Sequence, residues 1–135
     1  MIAGIGTDLC DVRRIDAALQ RHGLRFAQRI LGPAEWGVFQ ERLASSSARA
    51  HRYLATRFAA KEAFSKAVGL GMRHPMGWQA CEVSSNALGR PEFLLHGELA
   101  QCFARQQWRA HLSLTDEAHH ALAFVVVEHL PTHTS

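Results

Sequence analysis

The segment Gly4 to Asp8, near the start of the chain, contains the first residues that could do chemistry. A Gly-x-Gly pattern after a strand is typical of a phosphate-binding turn, but Leu9 stands where the dinucleotide-binding pattern has its third glycine. The carboxylate of Asp8 would repel a phosphate directly, whereas a cation between them would join the two. Magnesium suits this arrangement, because one or two protein carboxylates with phosphate oxygens and waters hold it. Taken alone, Asp8 is more often a turn or cap residue.

A second group of charged side chains lies in the segment Arg57 to Ala67, which is rich in strong helix formers. Glu62 and Lys66 are four residues apart and therefore share one stripe of the helix. Another stripe of small and aromatic residues predicts the face toward the core: Ala60, Ala63, Phe64 and Ala67. Spacing alone favours an ordinary surface ion pair between Glu62 and Lys66. Lys61 points away from their stripe, so we expect its loss to be milder than the loss of Lys66.

The histidines and cysteines give weaker indications of chemistry. The nine histidines form no HExxH pattern, and His111 with His119 or His120 matches no compact zinc spacing. The three cysteines contain no CxxC pair, which favours a reducing compartment over a disulfide framework. We therefore expect buried thiols rather than nucleophiles, in a cytoplasmic protein.

Length and composition indicate a globular protein without a membrane segment. A chain of 135 residues with 47% hydrophobic and 20% charged residues is typical of one domain. We expect that domain to span residues 1–130, followed by a frayed tail at 131–135. The longest apolar run, Ala121 to Val127, is far too short to cross a bilayer as a helix.

The positive charge of the chain is concentrated in one segment. The formal net charge is +3, and between Asp11 and Leu31 there are five arginines but only two acidic residues. Such a segment suits an acidic protein or a nucleic acid as a partner, and a solvated face equally well. The lone tyrosine, Tyr53, and the lack of an aromatic stacking pattern weigh against nucleic acid.

Periodicity and turn signals predict a mixture of helices and strands. Helices are expected at 11–22, at 24–31, from 33 onward, at 52–68 and at 97–107. Strands are expected at 2–8, ending in the glycine-flanked turn 4–8, and at 78–84, 92–95, 109–114 and 121–130. Gly23 should break the first helical region, Gly69 should end the long helix, and the serines at 45–47 should form a loop. This mixture predicts an α+β fold with antiparallel pairing toward the C-terminus.

Four segments together resemble a known family. They are Gly-Ile-Gly-Thr-Asp-Leu at 4–9, Arg-Phe-Ala-Ala-Lys-Glu-Ala-Phe-Ser-Lys-Ala at 57–67, Gly-Arg-Pro at 89–91 and His-Leu-Ser-Leu-Thr-Asp at 111–116. Their order and spacing resemble the holo-acyl-carrier-protein synthases, the small group of the phosphopantetheinyl transferases, over nearly the whole chain. Some members of that family have histidine where this chain has Asp116, so we assign Asp116 no role.

The resemblance implies both a fold and a reaction. The fold would be α+β, a long helix packed on an antiparallel sheet, assembled as a homotrimer with active sites between subunits. The reaction would transfer the 4′-phosphopantetheine group from coenzyme A to a serine of apo acyl carrier protein, releasing adenosine 3′,5′-bisphosphate. Asp8 and Glu62 would hold Mg²⁺, and Lys66 would neutralise phosphate charge. The serine proton would go to Glu62 or to a metal-bound water.

The resemblance also implies binding residues. Those implied for coenzyme A are Arg57, Ser65, Gly89 and Pro91. Those implied for the acidic carrier protein lie in the basic first helical region and are Arg14, Arg21 and Arg25. Two other functions stay open at this point: a magnesium-dependent phosphohydrolase, and a small basic nucleic-acid-binding module.

Overall fold

A computed structural model describes residues 1–131 of the chain. They form β1 (Ile2–Asp11), α1 (Val12–His22), α2 (Leu24–Ile30), α3 (Pro33–Ser45), α4 (Ser47–Val68), β2 (Cys81–Ser85), β3 (Pro91–Leu95), α5 (Gly97–Gln106), β4 (Trp108–Asp116) and β5 (His120–His129). The predicted α+β fold with a long helix on an antiparallel sheet is confirmed. The predicted tail lies outside the described residues except for Pro131.

The main sheet has the strand order β1-β5-β4, and both pairings are antiparallel. In this register Asp8 of β1 lies opposite Ala123 of β5, which lies opposite Leu114 of β4. Alternate residues of β5 are buried on the face that α4 covers, as the period of a strand requires. Strands β2 and β3 form a separate hairpin. Sheet order therefore puts Asp8 and the end of β4 on opposite edges.

Helix α4 is longer than the sequence predicted, because it begins at Ser47 rather than at residue 52. The expected loop at 45–47 is wrong: α3 continues to Ser45, and only Ser46 separates the two helices. The side chain of Ser46 accepts a hydrogen bond from the backbone N–H of Arg49, so the serine acts as a helix cap. The helix ends as predicted at Gly69, whose φ of 84° suits glycine. The predicted core stripe of α4 is confirmed, since its four residues are buried.

Two glycines bring β1 into backbone contact with α4. The predicted turn at 4–8 is wrong, because β1 continues through these residues to Asp11. A Cβ atom on Gly4 would collide with the carbonyl oxygen of Ala67, and one on Gly6 with that of Ala63. The glycines therefore serve a close approach of strand to helix, not a phosphate-binding loop.

The strand predicted at 78–84 begins three residues later, at Cys81. The ring of Trp78 stacks on that of Phe58, with ring centroids 5.1 Å apart. Its carbonyl oxygen accepts a hydrogen bond from the Lys61 ammonium. These contacts hold Trp78 in a turn, away from strand pairing. Within residues 1–131 every helix is too short or too polar to cross a bilayer.

The face of the main sheet opposite α4 is apolar and open. Its large exposed residues on β1 and β5 are Ile5 (60%), Leu9 (60%), Leu122 (45%) and Phe124 (42%). They are neighbours in the sheet, since Leu9 pairs with Leu122. We call these four residues the outer sheet face. A contiguous apolar patch of this kind is typical of a protein–protein contact.

Candidate active site

Asp8 and Lys66 meet at the edge of β1 where α4 crosses it. The Lys66 ammonium donates hydrogen bonds to the carbonyl oxygen of Thr7 (2.9 Å) and to Oδ1 of Asp8 (3.3 Å). The predicted pairing of Lys66 with Glu62 is wrong, because Lys66 pairs with Asp8 instead. Glu62 lies close enough to both that the charge of Asp8 raises its pKa and the charge of Lys66 lowers it. We call Asp8, Glu62 and Lys66 the carboxylate site.

The electrostatics of the carboxylate site favour a bound cation. Burial raises the pKa of Glu62 first, and the nearby negative charge of Asp8 raises it further. Lys66 and Arg14 oppose this shift. The part of this shift that Asp8 causes reflects the cost of ionising two neighbouring carboxylates together, and a divalent cation between them would remove that cost.

The donor set of the carboxylate site suits Mg²⁺. Residues 1–131 contain no group of three or more side chains placed to hold a metal by themselves. Two carboxylates with phosphate oxygens and water are the ordinary arrangement for Mg²⁺, which seldom has an all-protein cage. Asp8 and Glu62 therefore fit a Mg²⁺ ion whose remaining ligands are water molecules or the oxygens of a phosphate group.

The structure places Ser65 and Lys61 away from the carboxylate site. The hydroxyl of Ser65 is buried and donates a hydrogen bond to the carbonyl of Glu62 (2.7 Å), within its own helix. Lys61 is fully buried and pairs with Glu35 (2.6 Å). The expectation that loss of Lys61 impairs activity less than loss of Lys66 stays a prediction, but we expect Lys61→Ala to destabilise the fold, since breaking a buried pair costs about 3–5 kcal/mol.

Arg57 lines a small basic hollow on the other side of α4. The hollow holds about 220 Å³. Four arginines in its lining give the hollow a positive charge that would attract an anion: Arg42, Arg49, Arg52 and Arg57. Tyr53 and Asp116 also line it. The guanidinium groups of Arg42 and Arg57 lie 4.7 and 4.3 Å from the centroid of the Tyr53 ring. Nη1 of Arg57 donates a hydrogen bond to the hydroxyl oxygen of Thr56 (3.0 Å), whereas its Nε is buried and has no hydrogen-bond partner among the described residues. We call this hollow the arginine pocket.

Gly89 lies in the turn between β2 and β3, as the sequence predicted, whereas Pro91 is the first residue of β3 and pairs with Ser85. Oδ1 of Asn86 accepts hydrogen bonds from the backbone N–H groups of Leu88 and Arg90, which shapes the turn. Gly89 has a φ of 79° and open space around it. Pro91 lines a hollow of about 500 Å³ between this hairpin, α5 and β4.

One chain does not bring the carboxylate site and the arginine pocket together. The carboxylate site lies at the β1 edge of the sheet, and the arginine pocket lies beside Leu114 on β4. Two strand spacings, about 10 Å, separate these edges. Helix α4 lies between them, because Glu62 faces the β1 side and Arg57 the β4 side.

The basic residues of α1 and α2 form a continuous exposed surface. Gly23, with a φ of 69°, breaks the helix as predicted. Arg14 and Arg21 line one shallow hollow along α1, and Arg21 and Arg25 line the next. Arg14 is also close enough to lower the pKa of Glu62. The basic surface therefore begins at the carboxylate site.

The thiol of Cys10 is expected to resist alkylation at neutral pH. Burial raises the pKa of Cys10 to about 11, with Asp8 adding to the shift, and burial raises that of Cys81 to about 12. The thiolate is the nucleophile, so labelling of either should rise only at strongly alkaline pH. Mass spectrometry after iodoacetamide treatment at pH 7 should find label on Cys102 alone, whereas denatured protein should carry three labels. Native labelling of Cys10 at pH 7 would contradict the buried position of its side chain.

Residues 4–125 match the family model of the 4′-phosphopantetheinyl transferase superfamily. The chain belongs to this family. Among its relatives, the holo-[acyl-carrier-protein] synthase of Leptothrix cholodnii is 58% identical over 128 residues, which are 95% of this chain and 97% of the relative.

Solved structures of related proteins share the fold. The holo-[acyl-carrier-protein] synthase of Neisseria meningitidis is 43% identical, with a TM-score of 0.87 over 95% of this chain and 99% of that one. The synthase of Bacillus anthracis, solved in complex with CoA (3′,5′-ADP), is 32% identical. Its TM-score is 0.77 over 94% of this chain and 96% of that one.

Sequence reasoning missed two parts of this region. The Lys61–Glu35 pair joins residues 26 positions apart, and no local pattern predicts it. The contributions of Arg42, Arg49 and Arg52 to the arginine pocket were also missed. Their spacing along two helices was the available signal, because residues three apart share a helical face.

Proposed function

We propose that this protein transfers the 4′-phosphopantetheine group from coenzyme A to a serine of apo acyl carrier protein. Adenosine 3′,5′-bisphosphate is the second product. The observation that best supports this proposal is that Asp8 of a strand and Glu62 and Lys66 of a helix lie together, as a site for a metal and a phosphate requires. The family to which the chain belongs, and the names of its relatives, support the same reaction.

Asp8 and Glu62 would hold Mg²⁺ at the carboxylate site. When bound, the ion supplies charge neutralisation to the pyrophosphate of coenzyme A. The serine oxygen attacks the phosphorus that carries the pantetheine arm, and the bond from that phosphorus to the bridging oxygen breaks. The serine proton goes to Glu62 or to a water molecule at the site, and the departing bisphosphate takes the bonding electron pair.

Lys66 stabilises the negative charge that develops on the leaving group. Its side chain is 54% exposed although the ammonium is anchored on Thr7 and Asp8, so the ammonium can donate a further hydrogen bond to a phosphate. Catalysis of this kind depends on positioning and electrostatics more than on covalent participation.

Coenzyme A binds through its phosphates and nucleotide in this proposal. The four arginines of the arginine pocket supply a concentrated positive charge for the nucleotide phosphate. Gly89 and Pro91 lie near the nucleotide. Ser65 contributes through its place on α4, because its hydroxyl is already used within the helix.

The direct test is incubation of the protein with apo acyl carrier protein, coenzyme A and Mg²⁺. The carrier should gain one phosphopantetheine mass, and only when coenzyme A and a divalent cation are both present. Cleavage of coenzyme A without any carrier would instead support a phosphohydrolase, and an unmodified carrier with intact coenzyme A would contradict both.

A homotrimer with shared sites completes the proposal. The outer sheet face offers an apolar surface for a second copy of the chain. In such a trimer, the arginine pocket of one chain would lie against the carboxylate site of a neighbouring chain. The two groups of residues that α4 separates within one chain would then form a single active site.

The acidic carrier docks on the basic surface of α1 and α2. Arg14→Glu and Arg21→Glu are expected to raise the Michaelis constant for the carrier, because charge complementarity steers docking, while affinity for coenzyme A changes little. Added salt should raise this constant in the wild type and less so in the variants. The measurement is steady-state transfer at several salt concentrations. An unchanged constant in both variants would place docking elsewhere.

A further inference from the structure

Lys61 is the most deeply buried charged side chain that the proposed reaction does not use. It has no exposed surface. Its ammonium donates hydrogen bonds to the carbonyl oxygen of Ile30 (2.7 Å), to Oε1 of Glu35 (2.6 Å) and to the carbonyl oxygen of Trp78 (2.7 Å). These three bonds use all three donors of an ammonium group.

The three acceptors belong to three different segments. Ile30 is the last residue of α2, Glu35 lies in the first turn of α3, and Trp78 precedes β2. One side chain of α4 therefore holds the end of α2, the start of α3 and the approach to β2 at a single point.

Glu35 extends this connection beyond Lys61. Its Oε1 also accepts the backbone N–H of Gly32 (3.0 Å), and its Oε2 accepts that of Val83 (2.8 Å). Glu82 in turn accepts the backbone N–H of Ala34 (3.0 Å). The link between α2 and α3 is thus fixed from both sides by buried carboxylates.

Lys61 and Glu62 are consecutive residues whose side chains diverge by about 100° around the helix axis. One points beneath α2 and α3, and the other toward Asp8. The turn of α4 that carries Glu62 is therefore the turn to which the basic helix α2 is attached.

We propose that Lys61 is a positioning residue, which holds the carrier-docking helix α2 in register with the turn that carries Glu62. The inference rests on the proposed function. Stability alone is a poor explanation for the Lys61–Glu35 pair, because buried pairs are often replaced by apolar side chains without loss of stability. The three hydrogen bonds from Lys61, in contrast, fix where α2, α3 and the segment before β2 lie relative to α4.

The test compares Lys61→Met, the double variant Lys61→Met/Glu35→Gln and the control Leu99→Ala. Leu99 is fully buried in α5 and makes none of these hydrogen bonds, so its loss should lower stability while the network stays intact. Each protein is characterised by its thermal unfolding midpoint and by steady-state transfer with varied carrier, at a temperature where all are folded.

Lys61→Met should lower the midpoint, because it leaves the buried Glu35 carboxylate without a positive charge beside it. The double variant should regain part of that loss, because it removes the uncompensated charge although the carbonyl oxygens of Ile30 and Trp78 still lack their donor. We expect its Michaelis constant for the carrier to stay raised, and its kcat lowered, each by on the order of tenfold, as a small misplacement allows. Leu99→Ala should have a lower midpoint with wild-type kinetic constants.

Recovery of the midpoint and of both kinetic constants together in the double variant would overturn the proposal. So would a double variant that cannot fold, because the charges would then be needed for stability itself. The wild-type protein in the same assay establishes transfer independently, so failure of the proposed function is distinguished from failure of this inference.

Discussion

Asp8→Asn and Glu62→Gln are each expected to reduce transfer by about a thousandfold or more, since a cation in the site contributes several kcal/mol to the transition state. Both replacements keep the size of the side chain and remove one negative charge. The loss should appear in kcat, and higher Mg²⁺ should restore little of it. The measurement is the rate at which carrier mass increases as Mg²⁺ is titrated.

The fold should survive both replacements. Asp8→Asn removes a like charge beside Glu62, and the pKa of Glu62 should then fall toward its usual range. Glu41→Gln, an exposed position on α3, is the matched control and should behave as wild type. Near-normal transfer by either site variant in the presence of a chelator would refute the metal assignment.

Mixing two inactive proteins is expected to restore activity if each site is shared between chains. Chains with Asp8→Asn lack the carboxylate half, and chains with Arg57→Ala lack the arginine half. In every trimer that contains both kinds of chain, about one site in three would take an intact half from each chain. Co-expression with two different tags, followed by purification on both, gives the mixed protein for the transfer assay.

The control for this experiment mixes Asp8→Asn chains with Glu62→Gln chains. Both changes fall in the same half of the site, so no mixed site is intact and activity should stay low. If the first mixture were no more active than the average of its components, each chain would have to build its own site around α4.

The charge-bearing segments of the site could be predicted, but their contacts could not. Residues 57–67 predict a helix from local propensity, and the stripe that contains Glu62 and Lys66 follows from the helical period. Which partner Lys66 takes depends on the approach of β1, which is 58 residues away from Lys66 at Asp8. Sequence periodicity contains no information about such a distant neighbour, so the local partner Glu62 was predicted instead.

The two glycines of β1 are a second case in which the local sequence does not predict a contact between distant segments. Glycine usually marks a turn, so the sequence predicts a turn at Gly4 and Gly6. Their actual role depends on the helix that covers them, and a glycine in a strand pattern can equally mark a close backbone approach. The extra turn of α4 was missed for a related reason: Ser46 acts as a cap, and a run of serines predicts a loop just as well.

The close approach at Gly4 and Gly6 also has a consequence for ion selection. The distance between β1, which carries Asp8, and α4, which carries Glu62, is set by contact between their backbones at Gly4 and Gly6. Side-chain rotation therefore has little influence on the distance between these two elements. A rigid spacing favours a small ion with strict octahedral geometry and penalises a larger, more adaptable one such as Ca²⁺. Gly6→Ala would force the strand outward and widen the gap, so a larger ion should lose less affinity than Mg²⁺ does. The backbone contact at Gly4 and Gly6, which have no Cβ atom to block it, would then determine which metal the site prefers.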